Sequence, residues 1–455
     1  MKMRGALLLV GLGAGAAPLA GQVPASPGSR CLLSIDHVSR ATHQVPNPDG
    51  TSNYFLGGDV RLSCQGTDVR MAADSVAAFN DLKVTYFLGH VRYDDSSIAM
   101  TADNGTYYKD GERWEARGNV VTRNNRNGST LRGPALDYLR AMAGVRDTAE
   151  MYATGRPRVE YVPTDSGGAR QEPYVIYADR VRFRGNDEVF GGGSVTVDRS
   201  DLSAKGDSLR LDTGPGQDGG IYGRSAGRAE IDGKGATTFT LTGKRIDLTL
   251  TKNELTGVRS TGHAHAVDPD WDLLADTIAL QLEKQHLVET YAWGDSLRPR
   301  AVSPGRDIVA DSLAIDTPDQ ALKQARAFGQ AWVGGAVDSV THEQDQLWGD
   351  TVVADFVRRD SAGKAKSVLS RVEARHDARS YHLLAPSGTC PGSPVSYIRG
   401  QQIVLIFRPG GNDLDRVEVH GKVDGVQIEP VCAPPDSARA DSLKADSLRA
   451  VGTGR

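Results

Sequence analysis

The chain has 455 residues, a formal net charge of −4, 39% hydrophobic residues and 6% aromatic ones. Without a basic surplus there is nothing to drive counterion release, which excludes nucleic acid as a partner, and the apolar content is too high for a disordered chain. The 52 glycines, set in no collagen period, suit a protein full of turns, and a core that grows by repetition can ignore the two or three domains that this length ordinarily implies.

Residues 1–21 read as a secretory signal peptide. Lys2 and Arg4 form a charged start, Gly5 to Ala17 is apolar, and small residues suit cleavage after Ala20 or Gly21. Gln22 stands where a lipoprotein signal would need Cys. The chain is therefore expected to be exported. An N-terminal segment, 22–57, follows. The four cysteines form two clusters at opposite ends of the mature chain, in a protein bound for an oxidising compartment. Three connectivities exist, and proximity favours Cys31–Cys64 and Cys390–Cys432.

Residues 58–355 carry a repeat. GHVRYDDSSIAMTAD (89–103), GSVTVDRSDLSAKGD (193–207) and GHAHAVDPDWDLLAD (262–276) each run from Gly to Asp at one spacing. Nine such segments start at Gly58, Gly89, Gly118, Gly155, Gly193, Gly227, Gly262, Gly294 and Gly329. They end at Asp74, Asp103, Asp137, Asp179, Asp207, Asp247, Asp276, Asp311 and Asp350, with a mean period of about 35 residues, the mark of a stacked architecture. Alternation marks strands: Val195 and Val197, Phe239 and Leu241, Val175 and Tyr177, then Val181 and Phe183. Asn104-Gly105, Asp110-Gly111, Asn127-Gly128, Asp218-Gly219, Asp232-Gly233 and Asp424-Gly425 are expected hairpin turns. In each segment Gly would share a face with the following Val and leave a notch. Ala would point inward and Asp outward, where it can bond a backbone N–H and set a bend. Small inward residues at fixed heights would keep a channel open. Residues 356–432 are degenerate copies, and the tail 433–455, which twice reads Ala-Asp-Ser-Leu, is expected to be disordered or weakly helical.

Catalytic signals fail on inspection. GPGQDG (214–219) runs into another turn and strand rather than the helix that a nucleotide fingerprint needs. His263 and His265 share a strand face with no third metal ligand placed by spacing. No nucleophile or zinc motif is present. The expectation is a non-enzyme with no cofactor and no metal.

The pattern G-x-V…L-x-A-D-x-φ-x-φ…A-x-G-x-V, clearest over Val69–Val121 and Tyr174–Leu280 with weaker copies to Asp350, resembles the organic-solvent-tolerance (OstA-like) family. That family includes the periplasmic bridge proteins of lipopolysaccharide transport and the N-terminal domain of the outer-membrane translocon. The resemblance implies an all-β fold: an elongated V-shaped β-jellyroll (β-taco) of antiparallel strands, as one long unit or two stacked ones. It also implies an apolar groove for lipopolysaccharide or a related lipid, edge-strand pairing with other jellyroll proteins of the bridge, and a place in the periplasm, with association with the outer membrane left open. This chain is longer than a usual bridge protein and lacks the long amphipathic strands of a translocon barrel. The groove candidates are Val91, Ile98, Met100, Val120, Val195, Leu202, Leu274 and Ile308. Burying acyl chains there would contribute roughly 0.8 kcal/mol per CH₂. The competing readings are a structural or adhesive β-solenoid with a filled core and no lipid, and a carbohydrate-acting β-helix enzyme.

Overall fold

The computed structural model describes residues 31–429, apart from 165–166, 214–217, 224–227, 235–237, 253, 270, 304, 319–320, 338–341, 362–363, 385–393 and 411–413. The described residues form thirty strands and no helix, and every strand pairing is antiparallel. Strands pair with their neighbours along the chain. Ser52–Cys64, Arg70–Phe79, Val84–Asp94, Ile98–Tyr108, Arg113–Asn124 and Thr130–Leu139 lie side by side in that order. The chain is an all-β antiparallel jellyroll.

Each of these ladders breaks register once, between Gly57/Val60, Ala72/Ser75, Leu88/Val91, Thr101/Asn104 and Arg117/Val120. The breaks line up from strand to strand and crease the ladder along its length. The half-strands before and after the crease face each other as two sheets, which enclose one continuous core. Eight rungs are cut at the crease into two strands, as in Glu150–Thr154 with Arg158–Tyr161, and fourteen run through it unbroken. Thirty strands thus make twenty-two rungs. At about 4.8 Å per rung the ladder is on the order of 100 Å long. Residues 57/58 and 355/356 lie inside the strands Ser52–Cys64 and Gln346–Ser361, whose ladders resume on the far side of the register shifts at those points. The described chain is one elongated unit.

The Gly that opens a repeat is the crease. Gly89 and His90 have φ of 77° and 47°, and Gly118 and Asn119 have 76° and 45°. The same pairing of left-handed residues recurs at Gly58–Asp59, Gly193–Ser194, Gly262–His263 and Gly329–Gln330. Only glycine enters that region without steric cost, and a short polar residue tolerates it next best. The notch reading is therefore corrected: Gly turns the strand from one sheet into the other. The partnership of Gly and Asp is also different. Asp74 covers Gly89, the Gly of the next repeat, so closely that a Cβ there would lie 2.3 Å from its Oδ2. Asp103 covers Gly118, Asp179 covers Gly193 and Asp311 covers Gly329 in the same way. At two of these the Asp carboxylate reaches the side chain after the Gly: His90 Nδ1 is 2.7 Å from Asp74, and Asn119 Nδ2 donates to Asp103 at 2.8 Å. Asp276 covers Gly294 likewise and accepts the backbone N–H groups of Ser296 and Leu297. Two repeats differ. Pro134, not Asp137, packs on Gly155, and Lys244, not Asp247, packs on Gly262. Gly227 lies outside the described residues.

Of the six expected hairpin turns, Asp110-Gly111 and Asn127-Gly128 connect strands. The other four pairs lie within strands. At two of these, glycine is explained by a ring across the sheet. A Cβ at Gly105 would meet Trp114 at 2.6 Å, and one at Gly233 would meet Phe239 at 2.4 Å. In the strand Tyr174–Tyr177 the inward residues are Tyr174 and Ile176, one position off the expected Val175 and Tyr177. The Cys31–Cys64 disulfide is present, with a Cα–Cα distance of 4.9 Å. Cys390 and Cys432, the signal peptide 1–21 and the tail 433–455 lie outside the described residues.

Candidate lipid-binding trough

The space between the sheets is not uniform. In the N-terminal half it is filled by aromatic side chains. The Trp114 ring lies 4.8 Å from Phe87 and 5.1 Å from Tyr93, which sit on opposite sides of the crease, and Tyr93 meets Tyr138 edge-on at 5.8 Å. The mouth of the V is tied shut there as well. Tyr138 OH donates across it to Asp95 Oδ2 at 2.9 Å, in the turn of the facing sheet. Burial, then Asp95, pushes the Tyr138 phenol well above its ordinary pKa and keeps it a donor. Asn124 Nδ2 donates to Asn186 Oδ1 at 2.9 Å, and Tyr161 OH reaches the Asn186 carbonyl at 3.0 Å and Thr213 Oγ1 at 2.6 Å. Cys31 N–H donates to the buried Glu112 at 2.7 Å, so the disulfide-held start of the chain also spans the mouth.

Beyond Trp293 the inward stripe changes. The buried alanines Ala301, Ala314, Ala327 and Ala354 now line the space between the sheets. Alanines cannot fill the width that Trp114 and its neighbours fill, and a cavity of about 370 Å³ remains. Its walls include Ile308, Ala327, Val333, Val352, Phe356 and Leu405. This volume falls in the usual range for small-molecule sites, and the lining is mostly aliphatic.

Polar groups gather at one edge of the cavity. Asp345 pairs with His382 Nδ1 at 3.0 Å and accepts the Leu383 N–H at 2.8 Å. Burial works to raise the Asp345 pKa, yet these two donors hold it below the ordinary value, and Asp345 in turn raises that of His382. Arg306, in the hairpin Arg300–Ser303/Arg306–Val309, places its guanidinium 5.4 Å over the Phe407 ring, which belongs to the facing sheet. Burial pushes the Arg306 pKa down, with only Asp345 opposing it.

Of the eight groove candidates, Val91, Ile98, Met100, Val120, Val195 and Leu202 point inward and are buried in the filled stretch. Ile308 alone lines the cavity. Leu274 is corrected: it lies on the outer face, 39% exposed, and the inward residues of its strand are Trp271, Leu273 and Ala275. The alanines beside the repeat Asp residues are inward as expected, but Ala73, Ala102, Ala178, Ala275 and Ala310 are buried at the crease. They are small because the sheets converge there, and they do not line a channel. Sequence reasoning missed Arg306, Phe407 and the cavity itself. The signal available was the change from aromatic to alanine along the inward stripe.

Among the described residues, no cluster of three or more His, Cys, Asp or Glu side chains is placed to hold a metal ion. No protein-family profile and no curated protein matches the sequence. Among solved structures, the chain is similar to LptH from Pseudomonas aeruginosa, described as the LptA homologous periplasmic component of the conserved lipopolysaccharide transport device. The similarity covers 31% of this chain and 99% of that one, at 15% sequence identity and a TM-score of 0.25.

Proposed function

We propose that this protein is a non-enzymatic lipid carrier that holds acyl chains in the trough between its two sheets. Its cargo on this reading is lipopolysaccharide or a similar lipid bound for the outer membrane, and its place of work is the periplasm. The observation that supports the reading is the aliphatic cavity between residues 301 and 417, where the interior is left unfilled by the protein's own side chains. Each buried CH₂ contributes roughly 0.8 kcal/mol, so even a short stretch of chain repays entry. The end strands support partner pairing. Asp424–Ile428 is exposed throughout and has one paired edge among the described residues, with Val426 and Ile428 53% and 58% exposed. Such an edge is a template for a strand of another jellyroll protein.

The test is crosslinking from a photoreactive phenylalanine analogue at two positions, with lipopolysaccharide as probe and phosphatidylglycerol vesicles as competitor. Phe356 lines the cavity, whereas Phe328 is exposed on the outer face. Labelling at position 356 and not at 328 is expected; equal labelling refutes a trough. Competition by the vesicles separates a general acyl-chain site from one for lipopolysaccharide. A second reading, a structural β-solenoid with a filled core, is favoured by the aromatic packing around Trp114 and predicts no labelling at either position.

A further inference from the structure

The cavity holds two arginines of opposite character. Arg326 is neutralised by Glu289 at 3.2 Å and Asp316 at 2.7 Å. Arg306, on the same lining, forms no hydrogen bond or salt bridge through its side chain among the described residues, and its contact is with the face of Phe407. Asp345, the nearest acidic group to influence it, is engaged by His382 and the Leu383 N–H. A guanidinium on an apolar wall is costly to keep without an anion, because its five donors lose water and gain no acceptor. Arg306 sits at the edge of the cavity, in a hairpin turn of one sheet, facing an aromatic ring of the other. A ligand whose chain lay among Ile308, Val333 and Leu405 would bring its head to this edge.

We infer that the cavity selects amphiphiles with an anionic head, an acyl chain lying between the sheets and the head paired with Arg306. This rests on the acyl-chain reading above and adds which end of the ligand is recognised, and by what. A carboxylate or a phosphate monoester presents oxygens that a guanidinium can engage in two parallel hydrogen bonds, displacing Phe407 as its neighbour. An alcohol of the same chain length offers neither the charge nor the fork.

The experiment is calorimetric titration of the full chain with decanoate, decyl phosphate, decan-1-ol and inorganic phosphate. The variants are Arg306→Gln and Arg306→Lys, with circular dichroism to check folding. In the native protein the two anions are expected to bind at least about tenfold more tightly than the alcohol, a difference of about 1.4 kcal/mol. R306Q should bind all three amphiphiles alike, whereas R306K, which keeps the charge, should retain a preference for the anions. Inorganic phosphate alone should neither bind measurably nor displace decanoate. If the alcohol binds as well as the anions, head selection is wrong and the acyl-chain reading stands. If no amphiphile binds, both fall. A preference that survives R306Q, or one that R306K loses as completely as R306Q does, overturns the role of Arg306. Displacement of decanoate by inorganic phosphate at equal potency would show a site for the free anion instead.

Discussion

Replacing Gly89 with Ala tests the crease directly. Gly89 has φ of 77°, and a non-glycine residue in that region costs roughly 1–2 kcal/mol. The added Cβ would also lie 2.3 Å from Asp74 Oδ2, so the carboxylate must swing away and release His90, 2.7 Å from it. That exposed pairing adds about 0.5–1 kcal/mol. Gly89→Ala should therefore cost about 1.5–3 kcal/mol locally. With Asp74→Ala already in place, only the backbone penalty remains, so the two substitutions should couple by about 0.5–1 kcal/mol. A long ladder need not unfold in one step, so a global melt would blur the effect. Hydrogen exchange of peptides within residues 70–94 reads it locally: 2 kcal/mol corresponds to about a 30-fold loss of protection. Unchanged exchange in Gly89→Ala would refute the assignment of Gly89 to the crease. Full additivity in the double variant would refute the contact between Asp74 and Gly89.

Three other outcomes are expected. Replacing Cys31 and Cys64 by Ser opens a loop closed over 33 residues, which should cost about 3–4 kcal/mol and increase protease cutting in the first rungs. Glu373 is held down to a pKa of about 2 by Arg375 first, with Gln402 and Arg371 adding to this against the effect of burial. Because its folded-state pKa lies below the ordinary 4.5, its stabilisation is complete above that value and lost as pH falls toward 2. The gap in urea midpoint between the native protein and Glu373→Gln should therefore shrink between pH 5 and pH 2. A gap that stays constant over that range would contradict the ion pairs. Val426→Lys with Ile428→Lys should weaken any concentration-dependent association seen by sedimentation, since charge blunts an open strand edge; unchanged association would move the contact elsewhere.

Strand alternation and the Gly-to-Asp period made the rungs legible, because a period of two and a recurrent left-handed glycine are both local. Cys31–Cys64 was legible for the same reason: the two residues are brought together by adjacent rungs, Leu33–His37 and Ser52–Cys64. The link between Asp74 and Gly89 was not, since it joins one repeat to the next and nothing in a single segment says so. Asn104-Gly105 misled because a glycine beneath Trp114 and a glycine in a tight turn look identical in sequence. Arg306 could not be singled out among the other arginines, because its lack of a directly bonded carboxylate is a fact of three dimensions.

The bonds that cross the mouth have a directional consequence. Between Cys31 and Thr213 the two leaves are buttoned together and stuffed with rings, so that end is a cul-de-sac. A hydrocarbon tail admitted near Phe407 can retreat by the way it came or slip out sideways, but it cannot thread the full length unless Tyr138 and Tyr161 first let go. If the molecule carries lipid as proposed, this closed form would load and unload its cargo at one berth.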